Sequence, residues 1–370
     1  MTPAHFPTIA SASIIQWLEQ TQATHAASHV LCLLPEGEMH AVDNLQRLFR
    51  QKGIPLLGAI FPALITDNGF SQTGVTFIPV CKPDIWFLID QLDCAPATAA
   101  SHIAKACHLT GLPTEPQQSL FLIFDGMLPN ISTLLVHLFH RLRQQVHYTG
   151  VNAGSESFTA TPCLFDQQRI IEKGVIGITL QAAHTAVQHC YPVSKPLMRA
   201  TSTQGNQIDQ IDGQPAMAVY QKLVADEFGV ELTPENFYDY AVHYPFGLIA
   251  SLQILVRIPV GFTKEGAIIC VGEIPPNSML RLLRAPKLTE SRCVEAIQHE
   301  LGPTVEQTLM TFYCAGRRMH FGAEAALEIQ HLAESLQASS VHGALSLGEI
   351  STDHELGVPE FHNAALVCLK

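Results

Sequence analysis

The chain has 370 residues, more than one ordinary core accommodates and enough for two domains of roughly 180 residues each. Hydrophobic residues make up 47% of it and charged residues only 15%, which excludes a disordered chain. A formal charge of -12, with no Lys/Arg-rich run, excludes nucleic acid or an anionic membrane as partner, since either needs a basic face to displace counterions.

In chain order, Ser11 to Gln22 reads as a short helix behind a serine cap, and His29 to Pro35 as a buried strand. Ala41 to Lys52 carries Val42, Leu45, Leu48 and Phe49 at helical spacing and stops at Gly53, a residue able to take the left-handed closing conformation. Pro55 to Phe61, with Gly58 inside it, and Gly74 to Val80 complete a strand, helix, strand, loop, strand unit. The pattern returns at Ser119 to Asp125, Ile131 to Gln144, His147 to Gly154 and Gly174 to Leu180. A third copy reads as Thr308 to Cys314, Ala323 to Gln337, Gly343 to Ile350 and Phe361 to Leu369. The fold class is therefore mixed α/β, with two domains of repeated strand-helix-strand-strand units forming sheets flanked by helices. The Pro-rich stretch Tyr191 to Thr203 places the boundary near residue 195, giving domains 1–195 and 196–370. Beyond it, Gly205 to Gly213 reads as a strand entering a turn, and Pro215 to Val224 as a helix with proline in its first turn. Leu252 to Val260 and Ala267 to Glu273 read as a hairpin around Lys264-Glu265-Gly266.

Ten cysteines are scattered singly, with no Cys-x-x-Cys and no zinc-type spacing, and the N-terminus lacks a signal-like start. No stretch approaches ~18 uninterrupted apolar residues. The expectation is a reduced, cytoplasmic protein that does not cross a membrane.

The chemistry-bearing residues concentrate late in the chain. The runs Gly343 to Ile350 and Phe361 to Lys370 flank the polar loop Ser351 to Glu360 and are expected to pair as one hairpin. That brings Gly348, Glu349, His362 and Asn363 to one mouth. Arg257, set among apolar neighbours, needs an anion or carbonyls nearby, and Arg317 pairs either with a ligand or with Glu349. Cys314, His362 and Glu349 also have the composition of a nucleophile, a base and its orienter, so a Cys/His-dependent enzyme stays open. A third reading is a docking module. His137 and His140 sit three apart on one helix, with Leu and Phe around them favouring a packing face.

Several of these residues resemble the FIST family of bacterial sensory proteins over almost the whole chain. The resemblance rests on Asp212-Gly213-Gln-Pro215-Ala216, Val256-Arg257 before the Gly266 turn, Cys314-Ala-Gly-Arg317, Gly348-Glu349-Ile350 and His362-Asn363. Gly58, Gly150-Val-Asn-Ala-Gly154 and Gly174-Val-Ile-Gly177 carry the N-terminal part, with Ser155 standing where the family commonly has an acid. The resemblance implies signal reception through a small ligand and output through a separate partner, a histidine kinase or a cyclic-di-GMP enzyme. It also implies haem and nitric oxide sensing, as in stand-alone members. The axial ligand would then be His362 or, as second choice, His354, with Arg257 or Arg317 for the propionates. Without haem, Arg257, Arg317 and Glu349 suit an amino-acid-like metabolite.

Overall fold

A computed structural model describes residues 3–9, 11–24, 28–107, 118–181, 184–250, 253–302, 307–352 and 356–369, and one unit recurs in it three times. The first copy runs β1 (Ala4–Phe6), α1 (Ser11–Thr24), β2 (Ser28–Pro35), α2 (Val42–Lys52), β3 (Leu56–Phe61), a hairpin of β4 (Leu64–Thr66) and β5 (Gly69–Ser71), and β6 (Val75–Cys81). The second repeats it as β7 (Trp86–Ile89), α3 (Pro96–Cys107), β8 (Gln118–Asp125), α4 (Ile131–Leu142), β9 (His147–Ala153), a hairpin of β10 (Leu164–Asp166) and β11 (Ile170–Ile171), and β12 (Val175–Gln181). The third opens with β13 (Thr185–Gln188) and is interrupted by an inserted sheet. That insert comprises β14 (Val193–Gln204), β15 (Gln207–Ile211), β16 (Gln214–Pro215), α5 (Ala216–Phe228), α6 (Phe237–Ala241), β17 (Phe246–Ala250), β18 (Gln253–Arg257), β19 (Pro259–Phe262), β20 (Ile268–Cys270) and β21 (Met279–Leu283). The unit then resumes with α7 (Cys293–Leu301), β22 (Thr308–Cys314), α8 (Ala315–Phe321), α9 (Ala325–Leu336), β23 (Ser340–Ser346), a hairpin of β24 (Glu349–Thr352) and β25 (Pro359–His362), and β26 (Leu366–Leu369).

Each copy sets its two long strands side by side in parallel and returns its last strand antiparallel against the first. The outer edge of the second strand is thereby left bare, and another copy's hairpin covers it. The β10–β11 hairpin pairs with β3, β24–β25 with β9, and β4–β5 with β23, so the exchange is cyclic. It is also in register. Ala4, Phe77, Cys32, Gly58 and Phe165 form one cross-strand row. Phe87, Gly177, Leu122, Gly150 and Ile350 form the matching row of the second sheet, and Ala186, Cys368, Thr311, Gly343 and Ile65 that of the third. The same backbone bond recurs beside these rows, from Ile60 N to Cys163 O, Asn152 N to Gly348 O and Leu345 N to Ala63 O. Two of the three sheets thus draw strands from both sides of residue 195, which itself lies in β14.

The helices form where the apolar spacing places them. Val42, Leu45 and Phe49 on α2, Leu134, Leu135 and Leu138 on α4, and Ile329, Leu332 and Leu336 on α9 are all buried at three- and four-residue intervals. Phe312 packs between Phe61 and Phe121, with ring centroids 5.9 and 5.5 Å away, so one core joins the three copies.

Two sequence expectations are corrected. The late runs are not one continuous hairpin: Glu349–Thr352 does pair with Pro359–His362, but the flanking β23 and β26 part to opposite sides of β22 in a different sheet. The second run breaks because Ala364 takes a left-handed backbone, φ 57°. Likewise Leu252 to Val260 is two strands, described from Gln253 onward. β18 turns back on β17, and only β19 pairs with β20 across the Gly266 turn.

At the shared glycine position a side chain has no room. A Cβ on Gly343 would lie 1.7 Å from the Thr311 carbonyl oxygen, and one on Gly150 2.1 Å from that of Leu122. Gly261, in β19, has nothing within 4 Å of such an atom. Gly343→Ala should therefore cost about 3 kcal/mol or more, whereas Gly261→Ala should stay within about 0.5 kcal/mol of wild type. Urea unfolding midpoints of the two variants check this, and equal midpoints would contradict the close approach.

Candidate functional site

Where β22 ends and α8 begins, the third copy meets the insert, and the junction leaves a small half-open cleft, about 30 Å³ inside and opening to solvent. Its core side is formed by Cys314, Ala315, Gly316, Met319, Leu347 and Asn363, and its insert side by Tyr238, Val242, Ile258, Pro259, Val260 and Val271. Glu156 and Phe158, from the loop after β9, complete the lining. The walls are mostly apolar, as in small-molecule sites.

Cys314 holds this corner together. Its sulfur accepts the Ala364 N–H at 3.0 Å, and at the equivalent place in the second copy the Asp125 carboxylate accepts the Lys173 N–H at 2.6 Å. Ala364 and Lys173 share the left-handed backbone that aims those N–H groups inward. Burial pushes the Cys314 thiol far above its ordinary range, so it is a protonated, inert group. His362 is also buried, its Nε2 is 2.9 Å from the Ser351 hydroxyl, and no hydrogen bond joins it to Cys314 among the described residues. The nucleophile and base are therefore not hydrogen-bonded to each other among the described residues.

Glu349 lies directly opposite His362 in the hairpin, as expected from the sequence. It is fully buried, accepting the Ser346 hydroxyl at 2.6 Å and the Ala365 N–H at 3.4 Å. Burial pushes its carboxyl up to about 8 despite those donors, so it is neutral at pH 7. The matching positions of the other hairpins are Leu164 and Leu64.

Both arginines are committed to structure. Arg317 makes a two-pronged pair with Glu328, at 2.8 and 2.5 Å, and also donates to Ser291 and to the carbonyls of His189 and Ala364. Its carboxylate partner is thus Glu328 of α9, where the sequence reading had Glu349. Arg257 donates to the carbonyls of Glu273, Val256 and Phe361 at 2.9, 2.9 and 3.1 Å, tying β18 to β25. Glu328 was legible in principle, as a charge on the face of α9 that carries Ala325, Ile329 and Leu332.

Asn363 differs from all of these. It lines the cleft, is 1% exposed, and among the described residues neither its Oδ1 nor its Nδ2 has a partner. Burying each such group unpaired costs about 1–3 kcal/mol, so the amide is a hydrogen-bonding site held open. Gly348 sits next to it in the hairpin frame, packed so closely that a Cβ would meet the Phe361 ring at 2.4 Å.

The placed residues do not fit haem. Among the described residues no histidine lines the cleft, and His362 is enclosed beside Arg257 and His189 and held by Ser351. His354 lies outside the described residues. His320 is 2.7 Å from His243, Nδ1 to Nδ1, and His342 stacks against His5. The described residues hold no group of three or more His, Cys, Asp or Glu placed for a metal ion, and no helix among them is long and apolar enough to cross a membrane.

Comparison with known families finds the FIST N domain over residues 30–214 and the FIST C domain over residues 216–352. No curated protein matches the chain.

Glu349 makes stability depend on pH in a defined direction. Its carboxyl ordinarily titrates near 4.5 and in the fold near 8, so its stabilising contribution is complete below about 4.5 and is lost as pH rises to about 8. His362 and His189, lowered from 6.5 by burial to about 3 and about 4, act oppositely but are flat above neutrality. Between about pH 7 and 8 the wild type should lose up to about 1.4 kcal/mol per unit, and Glu349→Gln should remove that slope. Denaturant titrations at the two pH values measure it, and parallel profiles for the two proteins would contradict a neutral Glu349.

Proposed function

The chain belongs to the FIST family, whose domains are small-ligand sensory domains of signalling proteins, and from that premise we propose that the cleft between the third repeat and the insert is its ligand site. The observation carrying this reading is the unpartnered Asn363 amide facing a mostly apolar cavity. A buried amide presents one donor and one acceptor side by side, which suits a carboxylic acid, an amide or a lactam at the end of an apolar body. The ligand class is thus a small, largely hydrophobic molecule with one such polar end, and its apolar part packs against Ile258, Val260, Val271 and Met319.

Arg257 and Arg317 act in this reading as the joints that hold the walls, not as ligand contacts. Because one wall belongs to the insert and the other to the repeat, occupancy favours the arrangement in which both walls touch the ligand. That is a signal a separate protein reads, a histidine kinase or a cyclic-di-GMP enzyme in the version the family resemblance supports.

The test is a variant with opposite effects on two readouts. Asn363→Leu keeps the branched shape and heavy-atom count and removes both unpaired groups, so the ligand-free protein should melt higher, by the equivalent of about 1 kcal/mol or more. In a thermal-shift screen of carboxylic acids, amides and lactams, wild type should gain up to ~2.7 kcal/mol at a hundredfold excess over Kd, and the variant should lose the gain. A ligand that stabilises both proteins equally would remove Asn363 and this cleft from the reading.

A further inference from the structure

The insert leaves the repeat after β13 and re-enters it at α7, so the chain crosses between the two bodies twice. A cysteine stands at each crossing. Cys190 follows β13 by two residues in a left-handed backbone, φ 53°, and Cys293 is the first residue of α7. They are 103 positions apart in the sequence, yet Cys190 packs against the apolar cluster that contains Cys293. Both are anchored to one residue: the Cys293 sulfur lies 3.1 Å from the Gln188 carbonyl oxygen, and the Cys190 sulfur 3.9 Å from Gln188 Oε1. Cys190 is partly exposed and Cys293 is fully buried behind it.

We propose that this pair is a reversible dithiol switch whose substrate is a hydroperoxide, with Cys190 as the attacking sulfur and Cys293 as the resolving one. The Cys190 sulfur attacks the terminal peroxide oxygen, the O–O bond breaks, and the departing oxide takes up the proton released by Cys190, leaving Cys190 as a sulfenic acid and one water or alcohol. The Cys293 sulfur then attacks the Cys190 sulfur, the S–O bond breaks, and the hydroxide leaves as water with the Cys293 proton. Two thiols and one peroxide become one disulfide and two molecules of water, or one of water and one of alcohol.

The surroundings favour that order. The neighbouring Cys293 thiol, and after it the Arg317 guanidinium, lower the Cys190 thiol from its ordinary value against the opposing effect of burial. Cys32, Cys163 and Cys314, in contrast, are buried and pushed up, which keeps them protonated. The disulfide would close both crossings into a single staple and so fix how the insert meets the repeat. It depends on neither the cleft nor its ligand.

The experiment treats the full chain with hydrogen peroxide, blocks the remaining thiols with N-ethylmaleimide, and maps the peptides by mass spectrometry. The expected result is a cross-linked peptide joining Cys190 to Cys293, lighter by two hydrogens and restored by dithiothreitol. Cys190→Ser should leave Cys293 alkylatable after denaturation, and Cys293→Ala should stop Cys190 at a sulfenic acid that dimedone traps. The wild-type map needs no variant to fold. Both thiols remaining alkylatable while the exposed Cys81 and Cys94 oxidise would overturn the proposal, as would over-oxidation of Cys190 with Cys293 still reduced.

Discussion

A bare strand edge is the constraint from which this architecture follows. Each repeat builds a parallel strand pair whose second member, β3, β9 or β23, would present unpaired N–H and C=O groups on its outer side. Backbone groups buried in that state cost more than the fold can spare, so a hairpin must lie against each of them. The chain supplies those hairpins in a circle, the second copy covering the first, the third covering the second and the first covering the third. No copy can complete its own sheet. The three therefore stand or fall as one cooperative body, and Phe312 between Phe61 and Phe121 marks its shared centre.

The candidate site lies where the third copy departs from the other two. Positions that are Leu64 and Leu164 in two hairpins are Glu349 in the third, and the strand-end position held by Pro35 and Asp125 is Cys314. The insert also enters this copy, and two buried arginines lock it down. Arg257 reaches across to the Phe361 carbonyl, and Arg317 gathers Glu328, Ser291 and the carbonyls of His189 and Ala364. Breaking such a pair strands a buried charge, which is worth about 3–5 kcal/mol. The locks hold the walls firmly around a gap that they do not fill, and Asn363 opens into it.

Several features were readable from residue patterns because they are local. The strand-helix-strand period, the amphipathic faces of α2, α4 and α9, and the internal glycines all follow from neighbouring residues, and the hairpin that sets Glu349 opposite His362 follows from two apolar runs and a polar loop. The need of Arg257 for an anion or carbonyls followed from its apolar setting, and carbonyls are what it has. Glu328 as partner of Arg317 was missed because a lone acid on a helix reads as solvated unless its place on the apolar face is counted, whereas Glu349 stands among the polar residues of the hairpin.

By itself, the order of amino acids determined the repeated unit, the mixed α/β class and the family, since each rests on periodicity or on short motifs that survive without knowledge of what packs where. The tertiary structure alone decided which hairpin completes which sheet, because an edge accepts any strand that reaches it and the choice lies in long-range closure. It alone separated committed side chains from the free one: Arg257, Arg317 and Asn363 are all polar residues among apolar neighbours, and only their surroundings show two saturated with partners and the third, among the described residues, with none. It also brought Cys190 and Cys293 to the same residue, Gln188, a meeting that depends on a long insert returning to the place where it left.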